Sequence, residues 1–219
     1  MIKIASFVVA IVIQFVGVPA YGYELKYSRK TDRWDNPFIA YGYNPVSKIT
    51  TGYLAALRTA PGRTDACKLV FKKNANSDGF LVRYIGEGGA SGERGQLRHL
   101  VFSTEQGVLN LKFSKSELDG DCDWILPFVV ESDVSGDRDE VMVVIEIPNI
   151  GNWIAVYAIN SKKARFYSEP DNSSSQKAFL VKGDIIYVYE ERPDWYFVKY
   201  NEGKTKTEGW IRKSDTLQP

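Results

Sequence analysis

Residues 164–219 read ARFYSEPDNSSSQKAFLVKGDIIYVYEERPDWYFVKYNEGKTKTEGWIRKSDTLQP. The punctuation of this stretch decides the fold class. RFYS at 165–168 is a short strand that ends at Pro170, and DNSSS at 171–175 is a polar turn run. Residues 178–181 form a strand, and Lys182, Gly183 and Asp184 form a tight turn of the residue types that tolerate unusual backbone angles. Residues 185–189 alternate, Pro193 and Asp194 turn the chain into a strand at 195–200, NEGK at 201–204 is a hairpin loop, and GWI at 209–211 closes the set.

Four pieces of this stretch sit in a recognisable order. They are Tyr167-Ser168 with Pro170, LVKGD at 180–184, Asp194-Trp195-Tyr196 with Val198, and EGWI at 208–211 followed by Ser214-Asp215. Together they resemble the bacterial SH3 (SH3b) domain family. The resemblance covers the C-terminal quarter of the chain and implies a small barrel that binds a ligand and does not catalyse. It also implies where the ligand lies. Tyr167, Trp195, Tyr196 and Trp210 stand where SH3-type barrels keep aromatics, which form a groove for extended peptides. In bacterial members the same barrel is commonly used on peptidoglycan peptides. Along 195–198 successive side chains face opposite ways, so one of each neighbouring pair points outward. Trp195 and Tyr167 are the expected exposed members. Trp210, with Phe197, is also a candidate for the core.

The N-terminus carries a targeting pattern. Lys3 supplies a positive charge, residues 4–16 are apolar except for Ser6 and Gln14, and Val18-Pro19-Ala20 or Ala20-Tyr21-Gly22 offers small residues for a signal peptidase. The competing reading is a membrane anchor, but the apolar run is short for a bilayer core of about 30 Å. Residues 1–22 are therefore expected to be a signal peptide, with the mature chain periplasmic or secreted and without a transmembrane segment. Export changes the reading of Cys67 and Cys122, the two cysteines of the chain. In a reducing compartment they would be two buried thiols. In an oxidising one an even pair predicts a disulfide inside the first domain.

Charge is uninformative: 28 basic residues face 27 acidic ones, with no basic stripe to hold nucleic acid. Residues 23–153 show many short strands and almost no helical period: 38–43, 52–58, 67–72, 80–85, 97–102, 108–113, 124–130 and 141–147, with a possible helical turn at 114–118. The glycine-rich run 86–95 reads as a hairpin connection, because it lacks the Gly-Lys-Ser/Thr and following helix of a phosphate loop. The apolar run 153–159 leads into, or is, the first strand of the C-terminal barrel.

The sequence offers few residues for a catalytic or metal constellation. Cys67 with His99, the single histidine, would be the pair of a cysteine hydrolase, but Cys67 opens a strand and lacks the helix-terminal field that activates a thiol. Asp119, Asp121 and Asp123 alternate as in a calcium loop, but no terminal Glu follows. Two cysteines and one histidine do not fill a structural zinc site. No cofactor is expected. The chain is expected to be all-β, with an N-terminal β-sandwich or barrel domain at 23–153 followed by an SH3-like barrel at 154–219. The expected function is non-catalytic binding of peptidoglycan or an envelope protein. An inhibitor or immunity protein against a secreted wall hydrolase, and a wall hydrolase itself, are the alternatives.

Overall fold

A computed structural model describes residues 22–26, 38–60, 63–76, 79–85, 94–97, 101–105, 108–114, 122, 140–146, 149–202 and 205–219. The chain is all-β, as the turn spacing predicts. Strands β1 (Gly22–Lys26), β2 (Phe38–Asn44), β3 (Ile49–Ala60), β4 (Arg63–Asn74), β5 (Phe80–Tyr84) and β6 (Arg94–Leu97) form a meander in sequence order. Strands β7 (Val101–Glu105), β8 (Val108–Ser114) and β9 (Glu140–Glu146) form a second, three-stranded sheet. The chain then returns to the first sheet as β10 (Asn149–Gly151), which pairs with β1 through Tyr23 and Ile150.

The third sheet holds β11 (Ala155–Ile159), β12 (Ala164–Tyr167), β13 (Ser175–Leu180), β14 (Ile185–Glu191), β15 (Trp195–Glu202), β16 (Thr205–Arg212) and β17 (Thr216–Leu217). Its order is β13-β12-β16-β15-β14-β11-β17, with all pairings antiparallel. Short 3-10 turns at Asn172–Ser174 and Lys213–Asp215 join strands within it. Ala155, Tyr157, Ile159, Phe166, Leu180, Ile186, Val188, Tyr196, Val198 and Ile211 form one buried cluster. Strands along the length of one sheet contribute to that cluster, so the sheet curls around its own core.

Strand β11 explains how the halves join. Its five residues AVYAI are all buried. A strand buried on both faces reads as a continuous apolar run without alternation, which is the pattern seen in the sequence. Ala155, Tyr157 and Ile159 fill the curled sheet. Val156 and Ala158 face the other way and pack, with Trp153 and Leu217, against Ala40, Tyr53 and Val70 of the first sheet. Gly42 makes a close backbone approach: a Cβ there would lie 2.6 Å from Ala155 N and 2.8 Å from Ile154 C. Two buried hydrogen bonds cross the same seam. Trp153 Nε1 donates to the Tyr41 carbonyl at 3.0 Å, and the Val156 amide donates to Thr51 Oγ1 at 3.0 Å. The Val156 amide points to the side of β11 away from β14, so Thr51 supplies the partner that a buried amide requires.

The opposite face of the first sheet is also buried, through Ile39, Leu54, Leu69, Phe71, Phe80 and Val82. Cys67 lies on that face and bonds to Cys122, with Cα atoms 4.7 Å apart. The predicted disulfide is therefore present. Two sequence expectations are corrected. The strand expected at 97–102 is split, because Leu97 ends β6 opposite Phe80 while Val101 opens β7 in a different sheet. The glycine-rich loop expected to reach residue 95 ends earlier, since Arg94 and Gly95 pair with Arg83 and Val82. Residues 1–21, residues 86–93 of the glycine-rich run, His99, residues 115–118 of the expected helical turn, the aspartates at 119, 121 and 123 and the strand expected at 124–130 lie outside the described residues.

Burial at the seam has a pH consequence. Burial pushes the Tyr53 phenol from 10.0 up to about 12. The Tyr157 phenol is also pushed up, first by burial and then by the neighbouring Tyr196. Both ionise near pH 10 in an unfolded chain, so above that pH the unfolded state binds fewer protons and stability falls as pH rises. For Tyr53 alone the expected loss is about 2 to 3 kcal/mol by pH 12, being two pKa units. Urea midpoints measured across this range check it. A Tyr53→Phe variant should show a shallower decline than the parent.

Candidate functional site

The outer face of the curled sheet is built by register. Phe197 on β15 stands opposite Trp210 on β16, Trp210 stands opposite Tyr167 on β12, and Trp195 stands opposite Arg212. Opposed residues of antiparallel strands share a face, so these four aromatics and Arg212 lie on one side. Their neighbours Tyr196, Val198 and Ile211 point inward to the core. The rings touch in edge geometry, Tyr167 to Trp195 at 4.9 Å and Phe197 to Trp210 at 5.4 Å between centroids.

Two arginines lie over this surface. The Arg192 guanidinium sits 4.5 Å above Trp210, and that of Arg212 sits 5.4 Å from Tyr167 and 6.0 Å from Trp195. All three distances are within cation–π range. Arg212 is oriented by Asn172, whose Oδ1 accepts from Nη2 at 2.8 Å and Nε at 3.2 Å. Asn172 is placed in turn by the polar run that the sequence marks as a turn. Asp171 caps the 3-10 turn, accepting from the Ser173 amide at 3.2 Å and its hydroxyl at 2.7 Å. Those bonds, the hydroxyl's first, hold the Asp171 carboxyl below its ordinary range.

Gly209 lets the strands meet. Its φ is +157°, and a Cβ there would lie 2.8 Å from the Tyr167 carbonyl oxygen. A larger residue would push β12 away from β16 at the point where Tyr167 meets Trp210. Glycine in the EGWI motif thus positions the aromatic surface.

The four residues expected at the site take different places. Tyr167 is buried and Trp195 half-buried, and the two are in contact. Trp210 is buried on the outer face beneath Arg192, whereas the residue that closes the core from this strand is its neighbour Ile211. The pleat accounts for this, because adjacent residues of a strand face opposite sides. Tyr196 points inward, stacked on Tyr157 at 5.0 Å, and so does not belong to the outer surface. Arg192, Arg212 and Asn172 were not singled out from the sequence. Arg212 was findable, since it stands two residues after Trp210 and thus on the same face. Among the described residues no group of His, Cys, Asp and Glu could hold a metal ion. No protein-family model, curated protein or solved structure matches the chain at a significant level.

Proposed function

We propose that the chain is an exported, non-catalytic binding protein of the bacterial periplasm or cell envelope, and that its C-terminal SH3b-like unit recognises peptidoglycan peptides or an envelope protein. The observation that carries this reading is the outer face on which the half-buried Trp195 and Phe197 and the exposed Arg192 and Arg212 lie over the buried Tyr167 and Trp210. Aromatic and arginine side chains are the residue types that dominate binding energy at interfaces. Guanidinium groups also select for carboxylates, which peptidoglycan peptides and acidic protein segments both carry. Arg192 already holds the Glu190 carboxylate at 2.9 Å, so Arg212, bonded to the neutral Asn172, is the one that would meet a ligand's. The order of elements supports the SH3b resemblance: a first strand, a long hairpin, a three-stranded meander, a 3-10 turn and a short last strand that returns to pair with the first.

Sedimentation of the full mature chain with isolated peptidoglycan, or capture of its partner from envelope extract, tests the reading. Trp195 is half-buried and outside the core cluster, so Trp195→Ala should leave the fold intact by circular dichroism. Loss of such an anchor is expected to weaken binding by about 2 kcal/mol, roughly thirtyfold. Undiminished binding by Trp195→Ala and Arg212→Ala together would remove the surface from consideration.

An inhibitor of a secreted wall hydrolase is the second reading, and one feature favours it. The turn after β2 projects Val46, which is 91% exposed. It is braced from within, since Asn44 Oδ1 accepts from the amides of Val46 and Ser47. Its root is tied to the other half by Asn44 Nδ2 donating to Glu191 Oε2. A rigid apolar tip loses little entropy on insertion into a partner. Val46→Asp abolishing capture of a hydrolase while Trp195→Ala does not would favour this reading over the first. Cutting the chain after residue 153 does not separate the two, because that cut strips Val156, Ala158 and Leu217 from the apolar seam.

A further inference from the structure

The seam between the first sheet and the curled sheet does not close along its whole length. Beyond the apolar rows it opens into a cleft of about 450 Å³, within the size range of small-molecule sites, which occur preferentially at such junctions. Ile154 and Ala155 contribute apolar surface. Tyr157 and Tyr196 stack at 5.0 Å and 20° beside it. Thr51 is 1% exposed, and its hydroxyl oxygen is already engaged by the Val156 amide. This wall is therefore fixed and largely apolar.

The charged groups of the cleft are unevenly satisfied. Glu191 is engaged at both oxygens, Oε1 by Lys213 Nζ at 2.6 Å and Oε2 by Asn44 Nδ2 at 3.3 Å. Lys213 also lies 4.9 Å over the Tyr196 ring. Lys72 differs. It stands opposite Thr51 in the register of β3 and β4, on the face that meets the other half, and it is half-buried at the cleft. No described residue pairs with its ammonium. A half-buried cation beside an apolar wall is matched by an anion on an apolar body, because a charge taken from water is stabilised by a counter-charge. The Glu191 carboxylate does not oppose this, since the Lys213 ammonium paired with it at 2.6 Å offsets its charge.

The geometry points to a second binding site, separate from the outer aromatic surface, that takes a small organic carboxylate. Its carboxylate pairs with Lys72, and its apolar or aromatic body lies against Ile154 and the Tyr157–Tyr196 stack.

The test uses the full mature chain and 3-phenylpropionate, followed by amide NMR. Saturable shifts are expected at Thr51 and at residues 155–157. The neutral 3-phenylpropanamide is expected to bind at least about tenfold more weakly, as is 3-phenylpropionate to Lys72→Met, with Lys72→Arg restoring part of the affinity. No saturable shift at these residues up to about 10 mM ligand would overturn the site, since weaker binding than this corresponds to less than about 3 kcal/mol. Equal affinity for acid and amide would also overturn it, and that comparison needs no variant. No envelope ligand takes part, so the result is independent of the fate of the aromatic surface.

Discussion

Replacing Cys67 and Cys122 together with alanine is expected to lower the unfolding free energy by about 4 kcal/mol. The bond spans a sequence separation of 55 residues, and in the chain-entropy model a loop of that size stabilises by about this amount. Total stabilities of domains are about 5 to 15 kcal/mol, so the loss is a large fraction of the whole. Urea titration measures it, and the denaturant slope should rise because the unfolded chain, freed of its cross-link, expands. Reducing the parent protein with dithiothreitol should reproduce the same midpoint. A change below about 1 kcal/mol in both experiments would mean that the loop is already ordered when unfolded.

Trp153→Ala is the second large effect. The side chain is buried at the seam, in edge contact with Tyr187 at 4.9 Å between centroids, and its indole donates to the Tyr41 carbonyl. Truncating a buried aromatic costs about 3 to 5 kcal/mol. Here the cost falls on the contact between halves, not inside either one. A single cooperative unfolding transition is therefore expected to separate into two. Trp153→Phe keeps most of the volume and gives up only the indole hydrogen bond to the Tyr41 carbonyl, so a loss of about 1 kcal/mol is expected, with one transition retained. A single transition at the parent midpoint for Trp153→Ala would show that the seam contributes little.

Much of this fold was legible because local signals and tertiary roles coincided. Lys182, Gly183 and Asp184 make their turn from their own residue types, and the Val181 amide is indeed bonded to Asp184 Oδ2. The apolar run around Val156 was readable as a strand of the C-terminal unit for the same reason. Its second duty was not readable, since an apolar run states that both faces are buried and not what covers them. The hairpin of β3 and β4 runs longer than its apolar residues indicate. Thr50, Thr51 and Asp65 break the apolar alternation, yet the register continues to Ala60 opposite Arg63. At the candidate site the aromatics announced themselves by type. Arg192 and Arg212 did not, because exposed arginines are ordinary, and it takes the strand register for Arg212 and the turn bonded to Trp195 for Arg192 to place them over rings. Lys72 was hidden in the same way, as one of several lysines in alternating strands until the second half lies across it.

The pairing of β1 with β10 bears on how the chain reaches this state. Gly22 meets Gly151 and Glu24 meets Asn149, so one edge of the first sheet is made from residues at opposite ends of the N-terminal half. Loop closure of that length is entropically costly and must precede the contacts that reward it. The meander from β2 to β5 is assembled from neighbours and is expected to form early. Once β1 has joined it, the edge of β1 stays unpaired until residues 149–151 are delivered, which makes the half-formed sheet the aggregation-prone species on the folding route.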